Sequence, residues 1–209
     1  MRILITAGPT REYLDDIRFI SNESTGRMGF ALAEKAVQLG HQTTVVYGPT
    51  HVTPPQNTKK IEVTSTQQMI EAVLEELLVG KYDLVISCAA LSDYTPKRRQ
   101  KGKIPSGKKL CVEFKKTKKL LKVVREKHPQ IKLIGFKAEH NLTREKLIER
   151  AQDIKREYRL EFVVANDVSK KIFDSENTCA TIVGDEVREL GRLSKKDAST
   201  KIFEVIGSW

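Results

Sequence analysis

The chain has 209 residues, with 37 Lys plus Arg against 27 Asp plus Glu and a net charge of +10 at neutral pH. This length suits one domain that buries roughly 70% of its unfolded surface, and the positive charge suits anionic partners such as nucleotides or nucleic acid. No apolar run approaches the roughly 20 residues that span a bilayer, and the amino terminus MRILITAG lacks a signal-peptide pattern. We therefore expect a cytoplasmic protein with no membrane partner. The scattered cysteines and histidines indicate neither a disulfide framework nor a metal site.

Apolar strand-like runs alternate with amphipathic helical patterns, which predicts βα units around a largely parallel sheet. Strands are predicted at residues 2–7, 43–47, 61–63, 84–88, 110–114, 132–136 and 162–165. Helices are predicted at residues 30–39, from about residue 67, around residues 120–124 and after Thr143. Two runs at residues 180–183 and 187–190 predict a hairpin, and Ser194 with Asp197 predicts the start of a terminal helix. The pattern is typical of a Rossmann-like three-layer α/β fold that ends in a hairpin plus helix.

The pattern breaks between residues 89 and 109, which form a polar segment containing glycine and proline. Seven lysines and arginines lie between Lys97 and Lys109, which is too much charge for a core element. This segment is predicted to be a mobile basic flap. Its like charges repel one another when the site is empty, so we expect a bound triphosphate to order it.

The most informative stretch is SNESTGRMG, residues 21–29. Ser24 and Thr25 offer hydroxyls and capping oxygens, while Gly26 and Gly29 let a ligand approach the backbone closely. The stretch follows a predicted strand and opens a helix, whose positive dipole end therefore points at it. Such a loop at the edge of an open α/β sheet is typical of phosphate binding.

The sequence of residues 3–36, ILITAGPTREYLDDIRFISNESTGRMGFALAEKA, closely resembles the start of the phosphopantothenate-cysteine ligase family of coenzyme A synthesis. The similarity continues in order at ISCAALSDYTP, GKIPSGKKL, IGFKAEHN and VVANDVS, so that the blocks are spread over about four fifths of the chain. The resemblance implies a single ligase domain over residues 1–209, standing alone without a decarboxylase domain.

The family resemblance also implies an activity. The chain is expected to join 4'-phosphopantothenate to L-cysteine through an acyl-nucleotide intermediate, releasing pyrophosphate and a nucleoside monophosphate. CTP is expected in preference to ATP, with Mg²⁺ as the cofactor. The resemblance further implies a homodimer in which one subunit helps to complete the pantothenate site of the other. Because the activity is often fused to a flavin-dependent decarboxylase, a separate phosphopantothenoylcysteine decarboxylase is a further expected partner.

The family motifs assign roles to individual residues of this chain. Asn22 matches the amide implicated in the acyl-nucleotide step, where it would bind the acyl carbonyl oxygen. Lys103 matches the flap lysine that closes over the triphosphate. Arg18 either binds a substrate anion or forms a structural ion pair with Asp15 or Asp16. The residues that match nucleotide-binding positions are Ser24, Gly26, Gly29, Ser87, Cys88, Ala89, Asp93, Lys103, Phe136 and Asn166.

Two of these matches, Asp93 and Phe136, have more than one interpretation. Asp93 would accept hydrogen bonds from a base amino group, hold a magnesium ion or cap a turn. Phe136 would stack on the base or pack in the core, and Asn166 would read the base with its amide. These alternatives stay open on the sequence alone.

The chain departs from the family pattern at residues 118–121, a stretch that matches nucleotide-binding positions. Bacterial members often carry Pro-Asp where this chain has Lys118 and Lys119, which are followed by Leu120 and Leu121. Nucleotide choice is the expectation that this departure weakens most.

A second departure concerns a pair of lysines that bacterial members carry four residues apart. Direct alignment places Ile154 and Tyr158 at those positions. Lys155 and Arg159 keep the same spacing one residue later, so we expect them to supply the charge from a shifted helix face and to bind the nucleotide.

Two other function classes compete with the ligase. A short-chain dehydrogenase-like, NAD(P)-dependent reductase would share the sheet, but the first loop lacks G-x-G-x-x-G and no Tyr is followed four residues later by Lys. A basic nucleic-acid-binding module would use residues 97–119, but Phe114 is the only aromatic ring there. The ligase therefore remains the preferred reading, with no nucleic acid among its partners.

Overall fold

The structure is a computed structural model that describes residues 1–107, 109–169 and 176–208. The strands of these ranges are β1 (Arg2–Ala7), β2 (Arg11–Tyr13), β3 (Phe19–Ser21), β4 (Gln42–Tyr47), β5 (Lys59–Glu62), β6 (Leu84–Ser87), β7 (Tyr94–Pro96), β8 (Phe114–Lys116), β9 (Lys132–Glu139), β10 (Phe162–Asp167), β11 (Asn177–Val183) and β12 (Val187–Ser194). The helices are α1 (Arg27–Gln38), α2 (Thr66–Val79), α3 (Leu120–Lys127), α4 (Arg144–Tyr158) and α5 (Lys195–Ile206). The predicted Rossmann-like α/β fold is confirmed.

The central sheet has the strand order β12-β11-β10-β9-β6-β1-β4-β5. Six of its strands run parallel to one another, namely β1, β4, β5, β6, β9 and β10. At one edge, β11 pairs antiparallel with β10, and β12 pairs antiparallel with β11. From β1 the chain builds outward through β4 and β5, and then crosses to build β6, β9 and β10 on the other side. This change of direction leaves a crevice at the carboxyl ends of β1 and β6, where open α/β sheets bind ligands.

Both faces of the sheet are covered by helices. Ile3 and Ile5 of β1 pack in a core with α1 and α5, whereas Leu4 packs in a second core with α2, α3 and α4. All three side chains are fully buried. Strands that are buried on both faces are largely apolar, which explains why apolar and polar residues do not alternate in the run RILITA.

Side-chain caps fix the starts of three helices. Ser65 and Gln68 form a capping box, with 3.2 Å from Gln68 N to Ser65 Oγ and 3.1 Å from Ser65 N to Gln68 Oε1. Thr143 caps α4, and Ser194 caps α5 by accepting from the N–H of Asp197 over 3.0 Å. These contacts satisfy N–H groups that a helix start otherwise leaves without partners.

Two short hairpins lie beside the central sheet and differ from the sequence-based expectation. β2 pairs antiparallel with β3, and β7 pairs antiparallel with β8. The predicted strand at residues 110–114 is wrong, because pairing with β7 selects Phe114–Lys116 instead. Lys108, one basic residue of the predicted flap, lies outside the described residues. None of the described helices is long and apolar enough to cross a membrane.

Candidate functional site

The loop before α1 leads into a helix start that carries no side-chain cap. Gly26 is the N-cap residue and adopts the left-handed conformation, with φ of 77°. The first helical hydrogen bond runs from the Phe30 N–H to the Gly26 carbonyl over 3.0 Å. The N–H groups of Arg27, Met28 and Gly29 therefore have no partner within the helix. An anion placed there would accept hydrogen bonds from them and gain from the helix dipole.

Each small residue of this loop has its own structural role. Ser24 Oγ accepts from the Gly26 N–H over 3.4 Å and so shapes the turn. A Cβ atom on Gly26 would lie 3.1 Å from the backbone of Gly8, and one on Gly29 would lie 2.6 Å from the Cβ of Ala7. Gly29 thus allows α1 to pack closely on β1, whereas the sequence suggested only close approach of a ligand.

Asn22 joins the loop before α1 to the turn after β6. Its Nδ2 donates to the carbonyl of Ala90 over 3.1 Å and to the carbonyl of Leu91 over 2.9 Å. A side-chain amide has two N–H groups, so both are engaged in this structure. Binding of an acyl oxygen by Nδ2 therefore requires one of these hydrogen bonds to be exchanged.

The carboxyl ends of β6, β9 and β10 face this loop across a cleft of about 590 Å³, which is within the usual range of ligand sites. The turn after β6 is fixed by Thr6 Oγ1, which accepts from the N–H groups of Cys88 and Ala89, each over 3.2 Å. Asn166 Nδ2 donates to Thr178 Oγ1 over 2.7 Å. The predicted site residues that line the cleft are Asn22, Ser24, Gly26, Gly29, Ser87, Cys88, Ala89, Asp93, Lys119, Leu120, Leu121, Phe136 and Asn166.

The second wall of the cleft is built by the start of α3 and the end of α4. Lys119 Nζ lies 2.5 Å from Asp93 Oδ1, and both side chains are more than half exposed, so this ion pair contributes little to stability. The pair instead presents one donor and one acceptor at the cleft. Apolar surface around it comes from Leu120, Leu121, Phe136 and Ile154, with the ring of Tyr158.

Two ionisable groups of the cleft stay neutral near physiological pH. The protein around Cys88 desolvates its thiol and raises the pKa to about 12, although the positive charge of Lys195 acts in the opposite direction. Desolvation, with a hydrogen bond to Glu157, raises the pKa of Tyr158 to about 12. Cys88 therefore presents a thiol to the cleft and not a nucleophilic thiolate.

Five predicted site residues do not line the cleft, namely Arg18, Lys103, Lys118, Lys155 and Arg159. Lys155 Nζ pairs with Asp185 Oδ1 over 3.0 Å, and Arg159 ends α4 with φ of 50°. The directly aligned Ile154 and Tyr158 take their place in the cleft. One position along a helix turns a side chain by about 100°, so the shifted pair points elsewhere.

Arg18 forms the structural ion pair that the sequence left as one alternative. Its Nη1 lies 3.3 Å from Asp15 Oδ2 and donates to the Ile104 carbonyl over 2.9 Å. Asp15 is fully buried, and its pKa is lowered to about 2, chiefly by backbone hydrogen bonds from Arg18 and then Ile104. Asp16 Oδ2 accepts from the Gly102 N–H over 2.7 Å. Lys103 is exposed and lies between Gly102 and Ile104, two flap residues whose N–H groups are hydrogen bonded to the turn of the first hairpin.

The cleft contains ionisable residues that the sequence analysis does not assign: Glu23, Arg27, Lys137, Glu139, His140 and Lys195. The first five lie inside the motifs SNESTGRMG and IGFKAEHN, which hold the signal for them. Lys195 has only the capping pattern of Ser194 and Asp197 beside it, and that pattern predicts a helix start and no ligand.

The carboxylates of the cleft decide how a magnesium ion would fit. They are Glu23, Asp93 and Glu139. No group of three or more His, Cys, Asp or Glu side chains gathers as metal ligands within the described ranges. Mg²⁺ commonly takes one or two carboxylates together with substrate phosphates and water. The residues therefore fit a magnesium ion that arrives with a nucleotide.

The family model of the DNA/pantothenate metabolism flavoprotein C-terminal domain matches residues 1–208. The chain belongs to this family. The resemblance inferred from the sequence motifs is thereby confirmed. The chain is 39% identical over 206 residues to the coenzyme A biosynthesis bifunctional protein CoaBC of Thermococcus kodakarensis, an alignment that covers 98% of this chain and 50% of that protein. It is 38% identical over 217 residues to CoaBC of Bacillus subtilis, covering 99% and 51% of the two chains. The chain thus spans about half the length of the curated relatives it matches.

Several solved structures share the fold of this chain. The C-terminal domain of CoaBC superposes with a TM-score of 0.81 at 38% identity, covering 98% of this chain and 93% of that one. The DNA/pantothenate metabolism flavoprotein from Streptococcus pneumoniae superposes with a TM-score of 0.86 at 26% identity, covering 100% and 99%. A Cab2 variant in complex with phosphopantothenate-cysteine has the same fold, with a TM-score of 0.78 at 19% identity over 99% of this chain and 85% of that one.

Proposed function

We propose that the chain is a ligase that joins 4'-phosphopantothenate and L-cysteine through an acyl-nucleotide intermediate, with CTP preferred over ATP and with Mg²⁺. The cleft carries this proposal. Its first wall is the uncapped start of α1, which suits a phosphate, and its second wall pairs Phe136 with the Lys119–Asp93 donor and acceptor, which suits a nucleobase. The relatives named for coenzyme A biosynthesis favour this activity over a reductase or a nucleic-acid-binding module.

The proposed reaction has two steps. A carboxylate oxygen of phosphopantothenate attacks the α-phosphorus, and the bond from that phosphorus to the oxygen bridging to the β-phosphate breaks, which releases pyrophosphate. The cysteine amine then attacks the acyl carbon, loses a proton, and displaces the nucleoside monophosphate by breaking the acyl C–O bond. The protonated Cys88 thiol is a poor competing nucleophile, which supports an acyl group carried on the nucleotide.

Asn22 is proposed to act in the second step. It stands where the loop before α1 meets the turn after β6, and its Nδ2 exchanges the hydrogen bond to Ala90 or Leu91 for one to the acyl oxygen as charge builds there. The N–H groups at the start of α1 hold the phosphates during both steps. Lys103 is proposed to close over the triphosphate from the flap, and Arg18 to serve the pantothenate site.

Mg²⁺ is proposed to arrive on the triphosphate, where it would neutralise phosphate charge. Glu23, Asp93 and Glu139 are the carboxylates that the cleft offers to it. Arg150 and Lys137 hydrogen bond to Glu139 and lower the pKa of that carboxyl against the effect of its desolvation. Glu139 is therefore ionised at the pH of the reaction.

A homodimer is proposed to form through the hairpin surface, which we define as Ile17, Phe19, Tyr94 and Phe114. These side chains are 60%, 38%, 51% and 39% exposed, and they belong to the turn and strands of the two hairpins outside the central sheet. β2 of one hairpin contacts β7 of the other, and exposed apolar side chains on such neighbouring hairpins favour contact with another protein surface. A decarboxylase that acts on the product is a further proposed partner, since the curated relatives are bifunctional.

The test is pyrophosphate release by the purified chain with phosphopantothenate, cysteine, magnesium and one nucleoside triphosphate at a time. We expect release that depends on phosphopantothenate and is faster with CTP than with ATP, and we expect 4'-phosphopantothenoylcysteine by mass spectrometry. No product with any nucleotide, beside an active reference ligase, would remove the proposal. Faster turnover with ATP would overturn only the nucleotide preference.

A further inference from the structure

Lys195 is a buried cation in the wall of the cleft. It is only 7% exposed, yet it lines the same cleft as the uncapped start of α1. Lysine is rarely buried in proteins, because its ammonium group is strongly hydrated in water. A buried lysine at a ligand cleft is therefore a candidate binding group.

The backbone around Lys195 fixes its position. The residue is the first of α5, directly after the cap Ser194, and its own N–H donates to the Glu176 carbonyl over 2.8 Å. α5 then packs along α1 through Ile202 and Phe203. The side chain consequently leaves a rigid helix start and not a mobile loop.

The location of Lys195 is electrostatically unfavourable for its own helix. The amino end of a helix carries partial positive charge, so cations are disfavoured in the first turn. Arg27 repeats this arrangement as the first residue of α1, and it lines the same cleft. Two helix starts that each carry a cation thus meet at one place. Local rules are broken in this way mainly at functional sites.

Two further observations place these cations at the cleft. The positive charge of Lys195 acts on the Cys88 thiol, which lies at the carboxyl end of β6. Arg27 Nη1 pairs with Glu176 over 2.7 Å, while its Nε is buried and has no hydrogen-bond partner within the described ranges. An anion bound between α1 and α5 would supply such a partner.

We propose that Lys195 is a phosphate-binding residue that, with Arg27, holds the β- and γ-phosphates of the nucleoside triphosphate. The proposal rests on the ligase function above and adds residues to its site. The base lies against the wall formed by α3 and α4, so the far end of the triphosphate lies beside α1 and α5. As the α-phosphorus is attacked, negative charge grows on the departing pyrophosphate, and the Lys195 ammonium stabilises it. Lys195 therefore serves the first step and not amide formation.

Calorimetric titration of the full chain with inorganic tripolyphosphate and magnesium tests this inference. Lys195→Met should weaken binding by about 10- to 100-fold, the range that corresponds to losing one charge-assisted hydrogen bond. Lys195→Arg should recover most of the affinity. The matched control is Lys196→Met, because Lys196 is the exposed neighbour on the same helix and does not line the cleft. Equal affinities of wild type and Lys195→Met would overturn the proposal.

Kinetics separate a binding role from a structural one. Lys195→Met should slow pyrophosphate release while leaving transfer from a supplied acyl nucleotide to cysteine unchanged, whereas equal losses in both steps would refute the assignment. If Lys195→Met fails to fold, limited acetylation of the wild type replaces it: tripolyphosphate should protect Lys195 and not Lys196, and equal modification would refute the proposal. Failure of the ligase assay leaves the tripolyphosphate experiments intact, so the two proposals fail separately.

Discussion

The Arg18 guanidinium donates to the backbone carbonyl of Ile104 over 2.9 Å, and the Ile104 N–H donates in return to Asp15 Oδ2 over 3.0 Å. Arg18 and Asp15 lie in the turn of the first hairpin, whereas Ile104 lies in the basic flap. The turn and the flap are therefore held together by a buried carboxylate that accepts from both. Any change in the charge of Asp15 acts on the flap.

The first prediction concerns acid. The pKa of Asp15 falls from 3.8 to about 2 in the folded chain, so the folded state binds this proton more weakly than the unfolded state. The hydrogen bonds that the Asp15 carboxylate accepts stabilise the fold fully above pH 3.8, and this stabilisation is lost as the pH falls toward about 2. Hydrogen exchange at the Ile104 N–H should accelerate over this interval beyond its intrinsic rate. Asp15→Asn should abolish this acceleration of exchange, and Asp185→Asn on the surface should retain it. An acceleration that persists in Asp15→Asn would contradict this assignment.

The second prediction concerns the flap. The N–H groups of Gln100, Gly102 and Ile104 already have acceptors in Leu14, Asp16 and Asp15. Added CTP and magnesium should therefore slow hydrogen exchange mainly at the remaining flap residues, from 99 to 107. Lys103→Gln should lower pyrophosphate release without changing exchange in the central sheet.

Lys101→Gln is the matched control for the flap, because Lys101 is another exposed lysine two residues away. It should retain nearly full activity. Unchanged exchange at saturating nucleotide, together with full activity of Lys103→Gln, would identify Lys103 as an ordinary surface lysine.

The third prediction concerns Asn22→Asp. The carboxylate loses both donors to the Ala90 and Leu91 carbonyls and repels the charge that grows on the acyl oxygen. We expect formation of the acyl nucleotide to continue and its transfer to cysteine to slow by about 10²- to 10³-fold, the cost of one missing oxyanion donor. Rapid-quench analysis should show the intermediate accumulating. Asn57→Asp, the same substitution at an exposed residue outside the cleft, is the control, and normal amide formation by Asn22→Asp would rule out the role.

The fourth prediction concerns assembly. Phe19→Asp places a charge on the hairpin surface and should shift light scattering from dimer to monomer, with a parallel loss of activity, because charges are disfavoured in the core of an interface. Leu78→Asp is the control. Leu78 is 82% exposed on α2 and lies outside the hairpin surface. An active monomeric wild type would refute the dimer.

The sequence predicted the central sheet because its strands are long apolar runs separated by helices with recognisable caps. The two short hairpins beside the central sheet, β2–β3 and β7–β8, were not predicted, and the reason is physical. β2 and β7 have three residues each, which is too short for an alternating pattern, and β7 pairs with β8, a strand distant in sequence. The hydrogen bond from Ile104 of the flap to Asp15 likewise joins residues that are distant in sequence.

The motifs located most of the cleft, since each marks a loop or strand end at the same edge of the sheet. They could not decide which face of α4 turns inward, because a shift of one residue moves the side chain by about 100°. Ile154 faces the cleft and Lys155 does not. Lys195 was missed because a helix-capping pattern carries no information on what its first side chain contacts.

The packing of α5 on α1 has a consequence for synthesis of the chain. α1 is made well before α5, yet Phe30 and Ala33 on its buried face share a core with Ile202 and Ile206 of α5. A ribosome-bound chain that has not yet released α5 therefore leaves α1 with an uncovered apolar face and the loop before it without support. Competence to bind a triphosphate is therefore acquired only after α5 has left the ribosome, and ribosome-stalled chains that stop before Lys195 should remain unable to bind it.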